Sequence, residues 1–257
     1  MIEIDREIIK TYPRFSLGIY KGENNDLYKI CPSFPDKEQR INFLKFMNSF
    51  KSFPGVLLPT DLLCDREIYG YKMPFISDAQ DISLLVSRDE QDKDVRKIIL
   101  DIFAILKEIH KYFIFNDIRT SNILIKDDSA IFIDWDLGII KNSTDKACCY
   151  YYTYNTFYIG TIFEDIVKAF ISALSIFYHC DLEIFMKNNS IFDLRALLLN
   201  ARADREIIHT IDIIIDIYLK KRKMEELDVV GLFETVDLPS KREKNRVRKR
   251  IKSQVNK

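Results

Sequence analysis

The sequence carries the stretch Asn116-Asp117-Ile118-Arg119-Thr120-Ser121-Asn122, and Ile133-Asp134-Trp135-Asp136 follows a short distance along the chain. Between the two stretches, the apolar runs 123–125 and 130–133 flank the polar residues 126–129. That pattern predicts a small antiparallel hairpin. The hairpin would bring the end of the first stretch beside the start of the second, so we expect their polar side chains to share one site.

The residue types in these two stretches suit phosphoryl transfer. That reaction needs a carboxylate to orient or deprotonate the acceptor, cations to neutralise phosphates and oxygen ligands for magnesium. Asp117 is the candidate base, while Asn122 and Asp134 are candidate Mg²⁺ ligands. Either stretch alone is a weak signal. The specificity comes from their order, their spacing and the hairpin between them.

Length and composition indicate a folded protein. The chain has 257 residues, with 47% hydrophobic and 30% charged side chains. It is long enough for one large or two small cores, and the composition excludes a disordered or collagen-like chain. Only seven glycines are present. A phosphate-binding role must therefore rest on other residues than a glycine-rich loop.

The sequence predicts a cytoplasmic protein. Residues 1–6 lack the basic start and apolar run of a signal peptide. The longest uncharged stretch, residues 169–180, is well short of the roughly 20 residues that span a bilayer, and it predicts a buried helix. The five cysteines are spread without a C-x-x-C pair, so we expect reduced thiols and no zinc site.

The apolar spacing changes along the chain. Strand-like runs occupy residues 15–20 and 27–30, a helix is predicted over 36–50, and runs 56–58 with 62–64 and 68–73 predict another antiparallel pair. From Asp92 the apolar residues recur at helical spacing, and the chain beyond about Phe163 is predicted to be helical. The sequence therefore predicts an α+β protein of two lobes, joined by a linker near residues 77–81.

In these motifs the chain resembles the eukaryotic-like protein kinases of bacteria. That family has H-R-D-x-x-x-x-N, where this sequence has Phe115-Asn116-Asp117 and keeps the later Asn122. The family's D-F-G segment is similar to Asp134-Trp135-Asp136, without the glycine. Residues 70–76 resemble the last small-lobe strand and the hinge, and Asp165 matches the aspartate that anchors the catalytic loop through backbone N–H groups. The resemblance covers roughly residues 15 to 180.

The resemblance implies a two-lobed protein-kinase-like fold. Its small antiparallel-sheet N-lobe would comprise residues 1–76 and its larger, mostly helical C-lobe residues 77–240, followed by a basic C-terminal tail at 241–257. It also implies ATP and Mg²⁺ as cofactors. The phosphate-binding loop would lie either near residues 11–15 or at the hairpin that contains Gly18 and Gly22.

The resemblance also assigns roles to single residues. Lys29 matches the lysine that holds the α- and β-phosphates, and Glu38 on the next helix would be its partner across an unusually short loop. Met73 would stand at the back of the adenine pocket, with Phe75 at the hinge. Arg119 would lie beside the transferred phosphoryl group.

An activation segment is expected between the metal-binding segment and the central helix. It contains Ser143, Thr144 and a tyrosine cluster at residues 150–154. Asn116 replaces the arginine that normally receives an activation-loop phosphate, so the usual phosphate acceptor is lost. We therefore expect activity without phosphorylation of this loop.

Three functions fit the sequence. The first is a protein kinase that acts on Ser/Thr hydroxyls. The second is a small-molecule kinase of the aminoglycoside or choline type, which often has I-D-W-E where this chain has Ile133-Asp134-Trp135-Asp136; the hinge favours the first. The third is a pseudokinase that binds partners, as Asn116, Asp136 and the missing glycines allow, although every group expected to touch metal or phosphate is present.

The basic tail contrasts with a formal net charge of zero for the whole chain. Residues 241–257 hold nine Lys or Arg residues against the single acid Glu243. The default expectation is a solvated end, and the alternative is docking to nucleic acid or to an acidic patch on the chain's own body or on a partner. Membrane anchoring is disfavoured, because Val247, Ile251 and Val255 form only a thin apolar stripe.

Overall fold

The structure, a computed structural model, describes residues 18–21, 26–31, 37–64, 69–87, 94–143 and 160–255. The expected phosphate loop at 11–15, Thr144 and the tyrosine cluster lie outside these ranges. Within them the protein is α+β, with small antiparallel sheets and a larger helical part, as the sequence predicted.

The first sheet has four antiparallel strands. Its strands and the helix inserted among them are β1 (Gly18–Lys21), β2 (Asp26–Cys31), α1 (Lys37–Asn48), β3 (Asp61–Cys64) and β4 (Tyr69–Pro74). The sheet order is β1-β2-β4-β3, and the register pairs Lys29 with Tyr71 and Leu27 with Met73. The predicted strand pairs are confirmed. The run 56–58 is an exception, because only Val56 forms a bridge there, a parallel one to Phe132.

Helix α1 lies close to the predicted range 36–50. Phe43, Leu44 and Met47 are buried, as expected for positions that share one face of an amphipathic helix. Arg40 is also buried, with 1% of its surface exposed. The charged residue on this face therefore must find polar partners in the interior.

A second group of elements leads into the candidate site. It consists of β5 (Gln80–Asp81), α2 (Ile82–Ser87), α3 (Val95–Ile109), β6 (Phe113–Ile114), β7 (Ile123–Lys126), β8 (Ser129–Phe132) and β9 (Ile139–Ile140). Asp94 caps α3 by accepting a hydrogen bond from the backbone N–H of Lys97. The helical period predicted for this segment is confirmed, since Ile98, Ile102 and Ile109 are fully buried.

The predicted hairpin between the two motifs is also confirmed. Strands β7 and β8 pair antiparallel, with Ile123 opposite Phe132. Asp127 and Asp128 form the turn with positive φ angles, a conformation that aspartate tolerates better than most residues. Strand β5 joins β7 at the other edge, and β6 pairs with β9.

The last part of the described chain is helical, as expected. It contains α4 (Ile162–Tyr178), α5 (Leu182–Met186), α6 (Ile191–Asn200), α7 (Arg205–Tyr218), α8 (Val229–Thr235) and α9 (Lys241–Val255). Helix α4 contains the predicted buried stretch, and Phe170, Leu174 and Ile176 are fully buried. No helix in the described ranges has both the length and the apolar character needed to cross a membrane.

The basic tail is not a freely solvated end, because most of it forms a helix that packs on the protein. Residues 241–255 form α9, which packs on α4, α5 and α6 through Val247 and Ile251, with 0% and 7% of their surfaces exposed. Arg248 Nε donates to the carbonyl oxygen of His179 at 2.9 Å. The expectation of a solvated end is therefore wrong for the face that carries Val247 and Ile251, whereas Lys241, Arg242 and Lys249 are exposed.

Candidate active site

The loop that precedes Asp117 is fixed by a buried carboxylate. Asp165, in the first turn of α4, accepts hydrogen bonds from the backbone N–H groups of Phe115 at 2.6 Å and Asn116 at 2.8 Å. Nε2 of His110 lies 3.1 Å from the same carboxylate. This is the backbone anchoring that the kinase resemblance implied for Asp165. His110 supports the anchor and does not face the candidate reaction site.

Asn116 joins this loop to two other segments. It has a positive φ of 69°, which asparagine tolerates better than most residues. Its Nδ2 donates to the carbonyl oxygen of Leu137 at 3.2 Å, and its carbonyl accepts from Lys168 Nζ at 2.8 Å. Sequence reasoning did not single out Lys168, because a lysine within a helix gives no local signal of its partner.

Asp117, Arg119 and Asn122 form one cluster. Oδ2 of Asp117 accepts from Nδ2 of Asn122 at 2.9 Å and lies 3.1 Å from Nη2 of Arg119. Burial raises the pKa of Asp117 above its ordinary value, and the charges of Arg119 and Lys168 and the Asn122 hydrogen bond oppose that rise. A carboxylate whose pKa is raised toward neutrality is better matched to a general-base role than an ordinary one.

The hairpin places the two candidate metal ligands at neighbouring backbone positions. The backbone N–H of Ile133, directly before Asp134, donates to the carbonyl oxygen of Asn122 at 2.9 Å. Since Nδ2 of Asn122 is directed to Asp117, its amide oxygen lies on the other side, 3.4 Å from Ser121 Oγ. Asp134 has a left-handed backbone, with φ of 65°, and 18% of its side chain is exposed.

Lys29 reaches this site from the four-stranded sheet. Its side chain is fully buried, and its Nζ donates to Asp134 Oδ1 and to Asp136 Oδ1, the latter at 2.5 Å. These carboxylates are 105 and 107 residues away in the sequence. The fold therefore brings together a lysine and an aspartate that only the resemblance had connected.

The structure does not bring Glu38 to Lys29. Glu38 is exposed in the first turn of α1, and the described ion pairs of Lys29 are those with Asp134 and Asp136. Arg40 faces the site instead, with Nη1 3.1 Å from the carbonyl oxygen of Asp136. Two residues along a helix correspond to about 200° of rotation, so Glu38 and Arg40 point in nearly opposite directions.

Asp136 is the functional candidate that sequence reasoning missed. In the sequence it is the residue that replaces the glycine of D-F-G and the last acid of a segment similar to I-D-W-E, and neither comparison assigns it a partner. Its side chain is 6% exposed, and a buried carboxylate is rarely tolerated without such a partner. Its backbone is held by Arg40.

Aromatic contacts position the segment that carries these acids. The ring of Trp135 stacks on Tyr71 of β4 at a centroid distance of 4.7 Å, and its Nε1 donates to the carbonyl oxygen of Leu57 at 2.6 Å. Met73, further along β4, is buried with 4% of its surface exposed, whereas Phe75 follows the strand and is 41% exposed. Of the two residues expected to contact the nucleotide, Met73 therefore belongs to the core and the side chain of Phe75 is accessible to solvent.

A cavity of about 210 Å³ opens beside Asp117. Its lining includes Arg119, Lys168, Glu183 and Lys187. Glu183 accepts from the backbone N–H of Thr120 at 2.8 Å and from Ser172 Oγ at 2.6 Å. Burial raises the pKa of Glu183, and these hydrogen bonds act against that rise. The cavity places charged groups of both signs next to the candidate base.

The donor set fits magnesium held together with phosphates. No group of three or more His, Cys, Asp or Glu side chains within the described ranges is placed to hold a metal. Mg²⁺ is usually bound by one or two carboxylates, with water and substrate phosphates completing its shell. The Asp134 carboxylate and the Asn122 amide oxygen are ligands of the kind that this arrangement uses, and the Lys29 ammonium group lies beside Asp134.

No family model matches this chain. A 93-residue region is 38% identical to the probable bifunctional tRNA threonylcarbamoyladenosine biosynthesis protein of Methanosphaera stadtmanae (strain ATCC 43021 / DSM 3091 / JCM 11832 / MCB-3). The match covers 32% of this chain and 17% of the relative. The geometry of the site is compatible with a kinase-like fold.

Proposed function

We propose that this protein is an ATP- and Mg²⁺-dependent protein kinase that transfers the γ-phosphoryl group to Ser/Thr hydroxyls. The observation that carries the proposal is the meeting of Lys29 from one sheet with Asp134 at the end of the β7–β8 hairpin. The same hairpin begins beside the cluster of Asp117, Arg119 and Asn122. Residues 1–76 would form the N-lobe and residues 77–240 the C-lobe.

Each side chain has a separate task in the proposed reaction. Asp117 orients the acceptor hydroxyl and accepts its proton, and Arg119 neutralises charge on the transferred group. Asn122 and Asp134 hold Mg²⁺, and Lys29 holds the α- and β-phosphates. Catalysis then comes from positioning and charge neutralisation, since the loose transition state leaves little covalent work to side chains.

In this proposal the carboxylate partner of Lys29 differs from the expected Glu38. Asp136 supplies the carboxylate that the resemblance assigned to Glu38, and Arg40 holds the backbone of Asp136. Met73 lies beneath the nucleotide as part of the core, while Phe75 offers its exposed ring at the edge of the adenine site. ATP and Mg²⁺ are the cofactors of this proposal.

A small-molecule acceptor is the second candidate. Two observations favour it: the Asp134-Trp135-Asp136 sequence, and the modest volume of the cavity beside Asp117. The relative's name adds tRNA to the acceptors that must be tried. A pseudokinase remains the third candidate, and it differs from both in transferring no phosphate.

The test is phosphate transfer by the purified chain. The protein is incubated with γ-labelled ATP and Mg²⁺, alone and with generic protein substrates, amino alcohols and aminoglycosides, or unmodified tRNA. Asp117→Asn is the inactive variant, and Asp237→Asn, at an exposed aspartate away from the site, is the matched control. We expect the first variant to lose about 10²–10⁴-fold in turnover, the usual value of general-base assistance.

The location of the label separates the candidates. Phosphoserine or phosphothreonine supports the protein-kinase proposal, while label only on amino alcohols, aminoglycosides or tRNA contradicts it. Equal turnover by wild type and Asp117→Asn would show that the measured activity does not come from this site. Binding of Mg·ATP without any transfer would identify a pseudokinase.

A further inference from the structure

One side of α9 forms a concentrated cationic surface. We call it the basic face, and define it as the residues that line an open concavity of about 540 Å³: Lys241, Arg242, Asn245, Arg246 and Lys249. Four of the five carry a positive charge. They recur at the spacing of one helix face and extend about 12 Å along the axis, given a rise of 1.5 Å per residue.

The basic face is held rigidly against the body of the protein. Val247 and Ile251 are buried on the opposite side of the helix, and α9 packs on α4, α5 and α6. Arg248 and Arg246 donate to backbone carbonyl oxygens at 2.9 and 3.3 Å respectively. Because the helix is docked, its cations are presented without the ordering cost that a disordered tail would carry on binding.

The one acid among residues 241–257, Glu243, interacts electrostatically with Arg246 of the basic face. Glu243 accepts a hydrogen bond from the hydroxyl of Tyr178 at 3.3 Å, which directs its carboxylate toward α4. Since the whole chain has a formal net charge of zero, the nine cations of residues 241–257 leave the rest of the protein acidic. The charge separation favours a polyanionic partner for this face.

The composition of the basic face discriminates among polyanions. Its helix directs Val247 and Ile251 inward, so these apolar residues are not offered to a bilayer. The five residues of the face include no aromatic side chain, whereas single-stranded nucleic acid is commonly bound by stacking bases on aromatics. A helix that reads DNA bases enters the major groove, and α9 has one face packed on three other helices.

We propose that the basic face binds the backbone of double-stranded RNA. Duplex RNA is recognised mainly by shape and through contacts to phosphates and 2′-hydroxyls, which a docked cationic helix face can make. Lys241, Arg242, Arg246 and Lys249 contact phosphates, and the amide of Asn245 contacts a ribose 2′-hydroxyl. This binding is independent of the proposed phosphotransferase site, because none of the five residues belongs to it.

The experiment uses the full chain and a fluorescent 20-base-pair RNA duplex. Anisotropy titrations are made between 50 and 200 mM salt. The test variant is Lys241→Gln/Arg242→Gln/Lys249→Gln, which spares the bonded Arg246 and Arg248. The matched control is Lys51→Gln/Lys97→Gln/Lys107→Gln, at three exposed lysines outside α9. Thermal melting of all three proteins verifies that they are folded.

We expect the test variant to bind about tenfold or more weakly at low salt. The log–log salt slope should become shallower by about 0.9 for each phosphate contact removed, the value known for B-form duplexes. The control variant should match the wild type. Absence of binding by the wild type at 50 mM salt, or equal binding by both variants, would overturn the proposal.

Two further arms test the choice of partner. A DNA duplex of the same sequence lacks the 2′-hydroxyl, so we expect weaker binding than to RNA, and Asn245→Ala should reduce that preference. Vesicles that contain phosphatidylserine should not be bound. Equal or tighter binding of DNA, or vesicle binding that the test variant abolishes, would contradict the assignment to double-stranded RNA.

Discussion

The β7–β8 hairpin and helix α1 both serve the candidate site, but they differ in how their side chains are placed. In the hairpin, backbone pairing sets Ile123 opposite Phe132, so the residues just outside it are neighbours by register. In α1, the residue that faces the site is set by rotation of the helix against a distant segment. Arg40 faces the site, and Glu38 faces solvent. Local pairing is encoded in adjacent residues, whereas rotation depends on packing of the whole core.

The largest expected effect comes from the hairpin side of this comparison. Asp134→Ala should abolish the thermal stabilisation that Mg·ATP gives the wild-type protein, because the variant lacks the carboxylate for Mg²⁺. The measurement is a melting curve with and without 1 mM Mg·ATP, with ATP plus a chelator as the reference. An equal shift in melting temperature for wild type and variant would show that Asp134 is not a metal ligand.

The part of the candidate site that adjoins the β7–β8 hairpin was predicted from sequence. Two apolar runs around a polar turn were enough to predict β7 and β8, and the order of the motifs then placed Asp117, Asn122 and Asp134 together. The anchoring of the loop by Asp165 followed from the resemblance. These inferences succeeded because each depends on short-range spacing or on a motif with fixed geometry.

Helix α1 was predicted, but the residue that it turns toward the candidate site was not. Glu38 and Arg40 both lie on α1, and no local pattern indicates which of the two side chains turns toward the core. The Lys29–Asp136 contact joins residues 107 positions apart, which no local pattern reports. The solvated end was preferred for residues 241–257 for a different reason: nine cations dominate their composition, and the apolar stripe was considered only as a membrane anchor.

The second prediction compares the two carboxylates proposed for Lys29. Asp136→Asn removes charge from a buried pair, so we expect the free energy of unfolding to fall by about 1–3 kcal/mol and the KM for ATP to rise. Glu38→Gln changes an exposed residue, and its effect on unfolding should stay within about 0.5 kcal/mol.

Urea denaturation and steady-state ATP kinetics on the two variants measure these effects side by side. The expected contrast is a loss confined to Asp136→Asn. If Glu38→Gln raised KM and Asp136→Asn did not, then Glu38 would pair with Lys29 when nucleotide is bound, and α1 would rotate on binding.

The smallest expected effect concerns pH and the carboxylate beneath the catalytic loop. Burial raises the pKa of Glu183 in the folded protein, while in the unfolded chain it is close to the ordinary value of about 4.3. The folded state therefore holds a proton more firmly than the unfolded state. This contribution to stability is fully present below pH 4.3 or so and is lost as pH rises through the raised folded pKa.

Glu183→Gln removes that dependence and keeps groups that can hydrogen-bond to Thr120 and Ser172. The free energy of unfolding of the variant, minus that of the wild type, should therefore increase as pH rises from about 4.5 to 7.5. Urea denaturation at half-unit steps measures the difference, and Glu225→Gln, at an exposed glutamate, is the matched control. A relative stability that stays flat or falls over this range would mean that Glu183 is ionised without penalty, and that the loop at Thr120 rests on a charged carboxylate.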